Sequence, residues 1–357
     1  MPRYDEVYHE QPVSERVQRA LVALPKVELH VHLEGATSPE AIFRMAERNG
    51  ISLPAADRES WNAFCRFRDF KHFIAVYEAS TRCMLTAEDF TEMVVDFCER
   101  QAVQNVVYTE AFLSTGLHLQ KLPSRDLIDA LEKGALEGER RCGTRVRFIP
   151  DISRERPWQQ RDILAFAIEA HKRGVGLGIG LGGIESGYPP RLFQHTYEAA
   201  AAAGLHLVAH AGETTGGEGI LEAVQLLQAE RIGHGIRVLD DERLVEELRR
   251  RRVPFEVSPQ SNYCTGVVAA GQAHPLRAMQ QRGLLCTVNS DDPALFSSDL
   301  VNEYLTLAAQ GFALDELFQL DRNAAEVSFL GEREKQETVA KIDAFAQATP
   351  AQEATQP

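Results

Sequence analysis

The chain has 357 residues, with 38 Lys and Arg against 52 Asp and Glu, a formal net charge of −14, and 44% hydrophobic and 25% charged residues. These are ordinary globular values that exclude a disordered chain, and the acidic balance disfavours nucleic acid or an acidic membrane surface as a partner. There is no run of 18 apolar residues, the N-terminus MPRYDEVYHEQPVSERVQ is too polar for a signal peptide, and the six cysteines include no CxxC pair. The expectation is a cytoplasmic protein with reduced thiols and no membrane span.

In chain order, the first apolar run is a strand over residues 26–33. Residues 34–104 follow as a mostly helical segment carrying Trp61, Phe64, Phe67, Phe70 and Phe73 at three-residue steps. That spacing reads as local core, although a connection leaving the first strand can also form a lid. Further strands are expected at 105–113, 145–152, 175–181, 205–210, 231–234, 254–257 and 285–289, separated by helix-like stretches such as 124–142, 158–173 and 242–251. Repeated β-then-α order implies parallel strands with right-handed crossovers, and eight units predict a closed (β/α)8 barrel. The α/β class, a single barrel over 1–342 with a helical insertion after strand one, and a disordered Ala/Gln/Thr/Pro-rich tail over 343–357 are the expected organisation. The glycines of GVGLGIGLGG at 174–183 fall within a strand, so a nucleotide-binding turn is not expected.

Strand one reads Val27-Glu28-Leu29-His30-Val31-His32-Leu33. Its two-residue period puts Glu28, His30 and His32 on one face of a strand that should be apolar on both. Other predicted strand ends carry His210 followed by Glu213, His234 between two glycines, and Asn289-Ser290-Asp291-Asp292. The C-terminal ends of barrel strands are where such folds place their chemistry. Nitrogen and carboxylate donors without nearby cysteine suit Zn²⁺ or a similar divalent ion, and His30, His32, His210 and Asp291 would complete a His₃Asp site with room for a water.

The segments His30-Val31-His32-Leu33-Glu34-Gly35, His210-Ala211-Gly212-Glu213, Ile232-Gly233-His234-Gly235 and Asn289-Ser290-Asp291-Asp292-Pro293 resemble, in order, the motifs of the adenosine deaminase family of the amidohydrolase superfamily. The resemblance covers roughly residues 20–330 and implies a barrel with one zinc per subunit that removes the 6-amino group of an adenine ring. It implies His234 as base and electrostatic partner of the attacking water, Glu213 as proton donor to ring N1, and Asp292 as the contact to N7. It also implies Gly183 as the backbone contact to N3 and Glu34 as the carboxylate at the sugar. The chain departs from the family where many members carry DLAGDE after strand four and this one has Gly180-Leu181-Gly182-Gly183-Ile184-Glu185. It departs again at Glu34, where an Asp is frequent, and at Phe112, where an Arg is common. An adenosine-type nucleoside is the expected substrate, with free adenine and aminodeoxyfutalosine as alternatives. A binuclear hydrolase of the superfamily and a non-catalytic zinc barrel are more remote. The binuclear type needs a Lys or Glu on strand four, and the run from Val175 to Gly183 has neither. The oligomeric state is not legible.

Overall fold

The computed structural model of the protein describes residues 7–67 and 70–349, apart from the side chains of residues 70 and 71. Its centre is one eight-stranded sheet in sequence order: β1 (Lys26–His32), β2 (Val106–Leu113), β3 (Arg145–Ser153), β4 (Gly178–Gly182), β5 (His206–Ala211), β6 (Arg231–His234), β7 (Pro254–Val257) and β8 (Leu285–Val288). Every pairing is parallel, from β1 with β2 to β7 with β8. This is the expected (β/α)8 barrel, with helices in the connections.

The expected strand boundaries shift most at β4. Val175 and Gly176 still donate to the carbonyl of Ala170 at the end of the preceding helix, at 3.1 and 3.0 Å, so the continuous strand begins only at Gly178. Between β8 and β1 the barrel is closed by side chains as much as by backbone. The Asn289 side-chain oxygen accepts from the N–H groups of Leu29 (2.9 Å) and His30 (3.1 Å), and Glu28 accepts from the Ser290 N–H at 2.9 Å. A single bridge then joins the chains, with His32 N–H on the Asp291 carbonyl at 2.7 Å and Asp291 N–H on the His30 carbonyl at 3.1 Å. Closure and candidate ligands thus share one seam. His30 and His32 face inward beside Phe112. A register shift between Glu28 and Val31 breaks the expected alternation. Glu28, fully buried, pairs with Thr109 and takes a hydrogen bond from Gln101 of the outer helix Ala87–Val103, on the opposite side of the sheet from the histidines.

The insertion after β1 holds helices Pro39–Asn49, Arg58–Phe64, Phe70–Thr81 and Ala87–Val103. Ser38 caps the first of them by accepting from Ala41 N–H. The aromatic stripe divides. Trp61 is buried against Phe43 and Phe64, as a core residue should be, whereas Phe67 and Phe73 pack on Phe296 at the mouth of the barrel and Phe73 lines the cavity there. The Phe70 side chain lies outside the described part. The C-terminal boundary also moves: helix Glu332–Ala348 includes residues 343–348, which were expected in the tail. Phe345 anchors it by packing edge-on against Phe318, and Arg322 pairs with Asp343 at 3.1 Å. Residues 350–357 lie outside the described residues. Among the described residues no helix is long and apolar enough to cross a membrane.

Candidate active site

β1, β5 and the turn after β8 bring His30, His32, His210 and Asp291 together, their ligand atoms all within 4.8 Å of one another. His32 Nε2 lies 3.2 Å from His210 Nε2 and 3.3 Å from Asp291 Oδ1, and His30 Nε2 lies 3.5 Å from the same oxygen. Bonds of about 2.0–2.1 Å in tetrahedral array put ligand atoms about 3.3–3.4 Å apart, so this spacing fits one divalent ion. His30 Nε2 is buried without a hydrogen-bond partner. An ion would satisfy that orphan.

Groups behind the rings set their tautomers. His210 Nδ1 is 3.0 Å from the Leu181 carbonyl and His30 Nδ1 is 2.8 Å from Glu256 Oε2. A carbonyl only accepts, and so does an ionised carboxylate, which puts the proton on Nδ1 and turns the Nε2 lone pair inward. Burial opposes ionisation of Glu256, but Arg231 and His30 hold its carboxyl below the usual range. Arg231 donates to it from Nε at 2.5 Å and pairs with Glu110 at 2.6 Å. Ser261 donates to Asp291 Oδ2 at 2.6 Å. Phe112 floors the cluster, its ring centre 4.8, 5.2 and 5.3 Å from those of His30, His32 and His210.

Asp291 and His234 both take left-handed backbone, φ 63° and 59°. Such positions cost on the order of 1–3 kcal/mol outside glycine and concentrate at functional sites. The turn at Asp291 directs its own carboxylate at the histidines, while Asp292 lines the cavity beside them. A Cβ on Gly35 would lie 1.7 Å from Asp292 Oδ1, so glycine at 35 is what lets that carboxyl pack there. Gly233 likewise leaves room for the His30 ring, whose Cε1 would be 2.6 Å from a Cβ.

The cavity above the cluster measures about 140 Å³. Its barrel side carries Gly183, His210, Glu213, His234 and Asp292, and its far wall carries Phe73, Tyr77 and Phe296. A cavity of about 150 Å³ holds a benzene ring, so this space suits a small planar aromatic. Glu213 is fastened by its backbone: its N–H donates to Glu185 Oε1 at 3.1 Å, and Glu185 Oε2 also accepts from the N–H (2.8 Å) and hydroxyl (2.6 Å) of Thr215. Burial raises the Glu213 carboxyl above its ordinary range. Burial and the adjacent Asp291 push Asp292 well above its own. His234 Nε2 stands 3.9 Å from Glu213 Oε2 and 3.8 Å from Asp291 Oδ2.

Residues 25–345 match the family model described as adenosine deaminase. The chain belongs to the adenosine deaminase family. It is 37% identical to an adenine deaminase of Cupriavidus pinatubonensis over 91% of this chain and 93% of that one. It is 37% identical to an aminodeoxyfutalosine deaminase of Streptomyces avermitilis over 92% and 93%. A zinc-bound amidohydrolase from Burkholderia ambifaria superposes with a TM-score of 0.88 at 26% identity, covering 98% of this chain and 99% of that one. The protein is therefore an enzyme of hydrolytic C–N bond deamination acting on an adenine-type substrate, with the family's metal site in the barrel.

Of the residues singled out in the sequence, the structure gathers His30, His32, His210, Asp291, Glu213, His234, Asp292 and Gly183 in this cluster and the cavity above it. Glu34 it does not. Expected at the mouth, Glu34 is fully buried and absent from the cavity wall. Its Oε1 takes the Ser114 N–H at 2.8 Å and His118 Nε2 at 2.6 Å, and its Oε2 takes the Tyr77 hydroxyl at 3.3 Å. The physical reason is that helix Phe70–Thr81 folds over the end of β1 and supplies Tyr77, which faces the cavity in its place. Sequence reasoning missed Tyr77, Ser261, Asn262 and the Glu256–Arg231 pair. Only Glu256 carried a signal, an acid between apolar neighbours in a short buried strand. Asp151 of β3 was missed too: it occupies space that a Cβ on Gly180 or Gly182 would fill, each within 2.5 Å of one of its oxygens.

Proposed function

We propose that the protein hydrolyses free adenine to hypoxanthine and ammonia, with one zinc ion held by His30, His32, His210 and Asp291. The observation that carries free adenine over a nucleoside is the sequestered Glu34: the carboxylate that would receive a sugar hydroxyl is already spent on Ser114, His118 and Tyr77. The adenine deaminase name of the Cupriavidus relative supports the same reading. Nitrogen and carboxylate donors without cysteine, and the zinc in the Burkholderia protein, support the metal.

A divalent ion in this site makes water nucleophilic near neutral pH. The chain's residues do the rest. Gly183 N–H faces N3 and the protonated Asp292 faces N7, which turns C6 towards the cluster. As water oxygen adds to C6, Glu213 gives its proton to N1, a role that fits a carboxyl raised by burial. The first proton released by the water passes to the Asp291–His234 pair and then to the amino nitrogen, which leaves as ammonia. The second, lost as the C6 hydroxyl becomes a carbonyl, restores Glu213. C6 keeps the oxygen and N1 its proton. The test is kcat/KM for adenine, adenosine, 2′-deoxyadenosine, AMP and aminodeoxyfutalosine, followed by ammonia release. Adenine is expected to rank first. A higher value for adenosine or for aminodeoxyfutalosine, the substrate named for the Streptomyces relative, would replace this reading with that nucleoside.

A further inference from the structure

The residues behind each ring distinguish the histidines of this site. Behind His30 and His210, Nδ1 meets an acceptor. Behind His234 it meets Asn262 Nδ2, at 3.3 Å. The direction of that bond follows from one further out. The Leu276 backbone N–H, which can only donate, lies 3.1 Å from His274 Nδ1. That nitrogen therefore accepts, and neutral His274 carries its proton on Nε2. The ring is 2% exposed, and burial lowers its pKa to about 3, with His234 adding to the effect. His274 Nε2 lies 3.0 Å from Asn262 Oδ1, which accepts. The amide is thereby oriented, and its NH₂ donates to His234 Nδ1. What stands in front of His234 agrees: carboxyl oxygens of Glu213 and Asp291 lie 3.9 and 3.8 Å from Nε2.

We infer that His234 serves the reaction as a hydrogen-bond donor through Nε2–H, and that Asn262 and His274 are positioning residues that fix this tautomer. A neutral imidazole already protonated on the inward nitrogen cannot take a proton there. Of the Asp291–His234 pair, the carboxylate then receives the water's proton and passes it to the leaving nitrogen, while the imidazole N–H holds the incoming oxygen. The same geometry explains why His234 is no ligand: its inward nitrogen has no free lone pair. The inference rests on the deaminase reading of the site and not on which purine is bound.

Asn262→Asp tests it. The new carboxylate still accepts from His274, but it also accepts from His234 and so moves that ring's proton to Nδ1. With His234 as donor, kcat should fall by about 10²–10³, the effect of removing one preorganised donor from an active site, with KM and bound metal unchanged. A His234 acting as base would keep or gain activity, because its inward lone pair is then free and an aspartate stands behind it. Proton–nitrogen correlation spectra of the imidazoles in the metal-loaded protein give a readout independent of turnover. The wild type should show His234 protonated on Nε2, and Asn262→Asp should show it on Nδ1. A wild-type ring protonated on Nδ1 overturns the proposal even if the variant does not fold. An unchanged tautomer in Asn262→Asp removes Asn262 from its role, and undiminished kcat with a switched tautomer removes the donor role. A wild type inactive on every purine tested would fail the deaminase reading itself, with the tautomer still reported by the spectrum.

Discussion

Glu256→Gln puts the wiring behind the metal ligands to a quantitative test. Glu256 takes the His30 Nδ1–H on one oxygen and Arg231 Nε–H on the other, at 2.8 and 2.5 Å. Glutamine keeps the volume and one acceptor. Arg231 can only donate, so the amide oxygen must face it, and the NH₂ then meets His30 Nδ1. Either two donors oppose each other in a fully buried place, or His30 moves its proton to Nε2 and points an N–H at the ion. Both outcomes work against the metal. A buried donor left without an acceptor costs about 1–3 kcal/mol, which at about 1.36 kcal/mol per tenfold is a loss of roughly 5- to 150-fold in affinity. Losses of about 10–100-fold are typical when a ligand's supporting partner is removed. Arg231 keeps Glu110 at 2.6 Å, so the substitution leaves no unpaired buried charge. Zinc affinity is measured by competition with a chromophoric chelator, and kcat at saturating zinc should stay near that of the wild type because all four ligands remain. Unchanged zinc affinity would refute the reasoning and leave Glu256 as a partner of Arg231 alone.

Glu213→Gln should lower kcat by about 10²–10⁴, the usual contribution of a proton-transferring group, without loss of bound metal; retained activity would remove it as the N1 donor. Because burial raises the Glu213 carboxyl, the folded chain binds more protons than the unfolded one between the ordinary Glu value and the raised one, and stability falls as pH rises through that window. In metal-free protein, Glu213→Gln should therefore melt above the wild type at about pH 8 and level with it at about pH 4, below the ordinary Glu value of about 4.3. Gly35→Ala drives a Cβ into Asp292 and should cut kcat/KM for every purine substrate while zinc stays bound; unaltered kinetics would mean that Asp292 makes no contact with the ring. Glu34→Gln removes the ionised partner of His118 and should lower the melting temperature with equal kinetic losses on adenine and on nucleosides, whereas a loss confined to nucleosides would return Glu34 to the sugar.

The barrel and most of the site were legible from local pattern. Alternating β and α stretches gave the topology, and the two-residue period of β1 announced an inward polar face. That face holds for His30 and His32 but not for Glu28, because the register shift after it turns its carboxylate to Gln101 of helix Ala87–Val103. Polar residues clustered at strand ends then pointed to His210, His234, Asp291 and Glu213, because a barrel brings those ends together whatever the details of packing. What tertiary structure alone decided is which groups stand behind and beside these residues. Glu256 is 226 positions from His30, Asn262 is 28 from His234, and the helix that carries Tyr77 over Glu34 comes from an insertion whose path no periodicity specifies. Those contacts set the tautomer of each imidazole and close off the carboxylate expected to read a sugar. They depend on the direction of single N–H and C=O groups after folding. Spacing along a strand determines which face a histidine occupies, but only the neighbour that the fold brings to its far nitrogen determines whether the near one offers a lone pair or a proton.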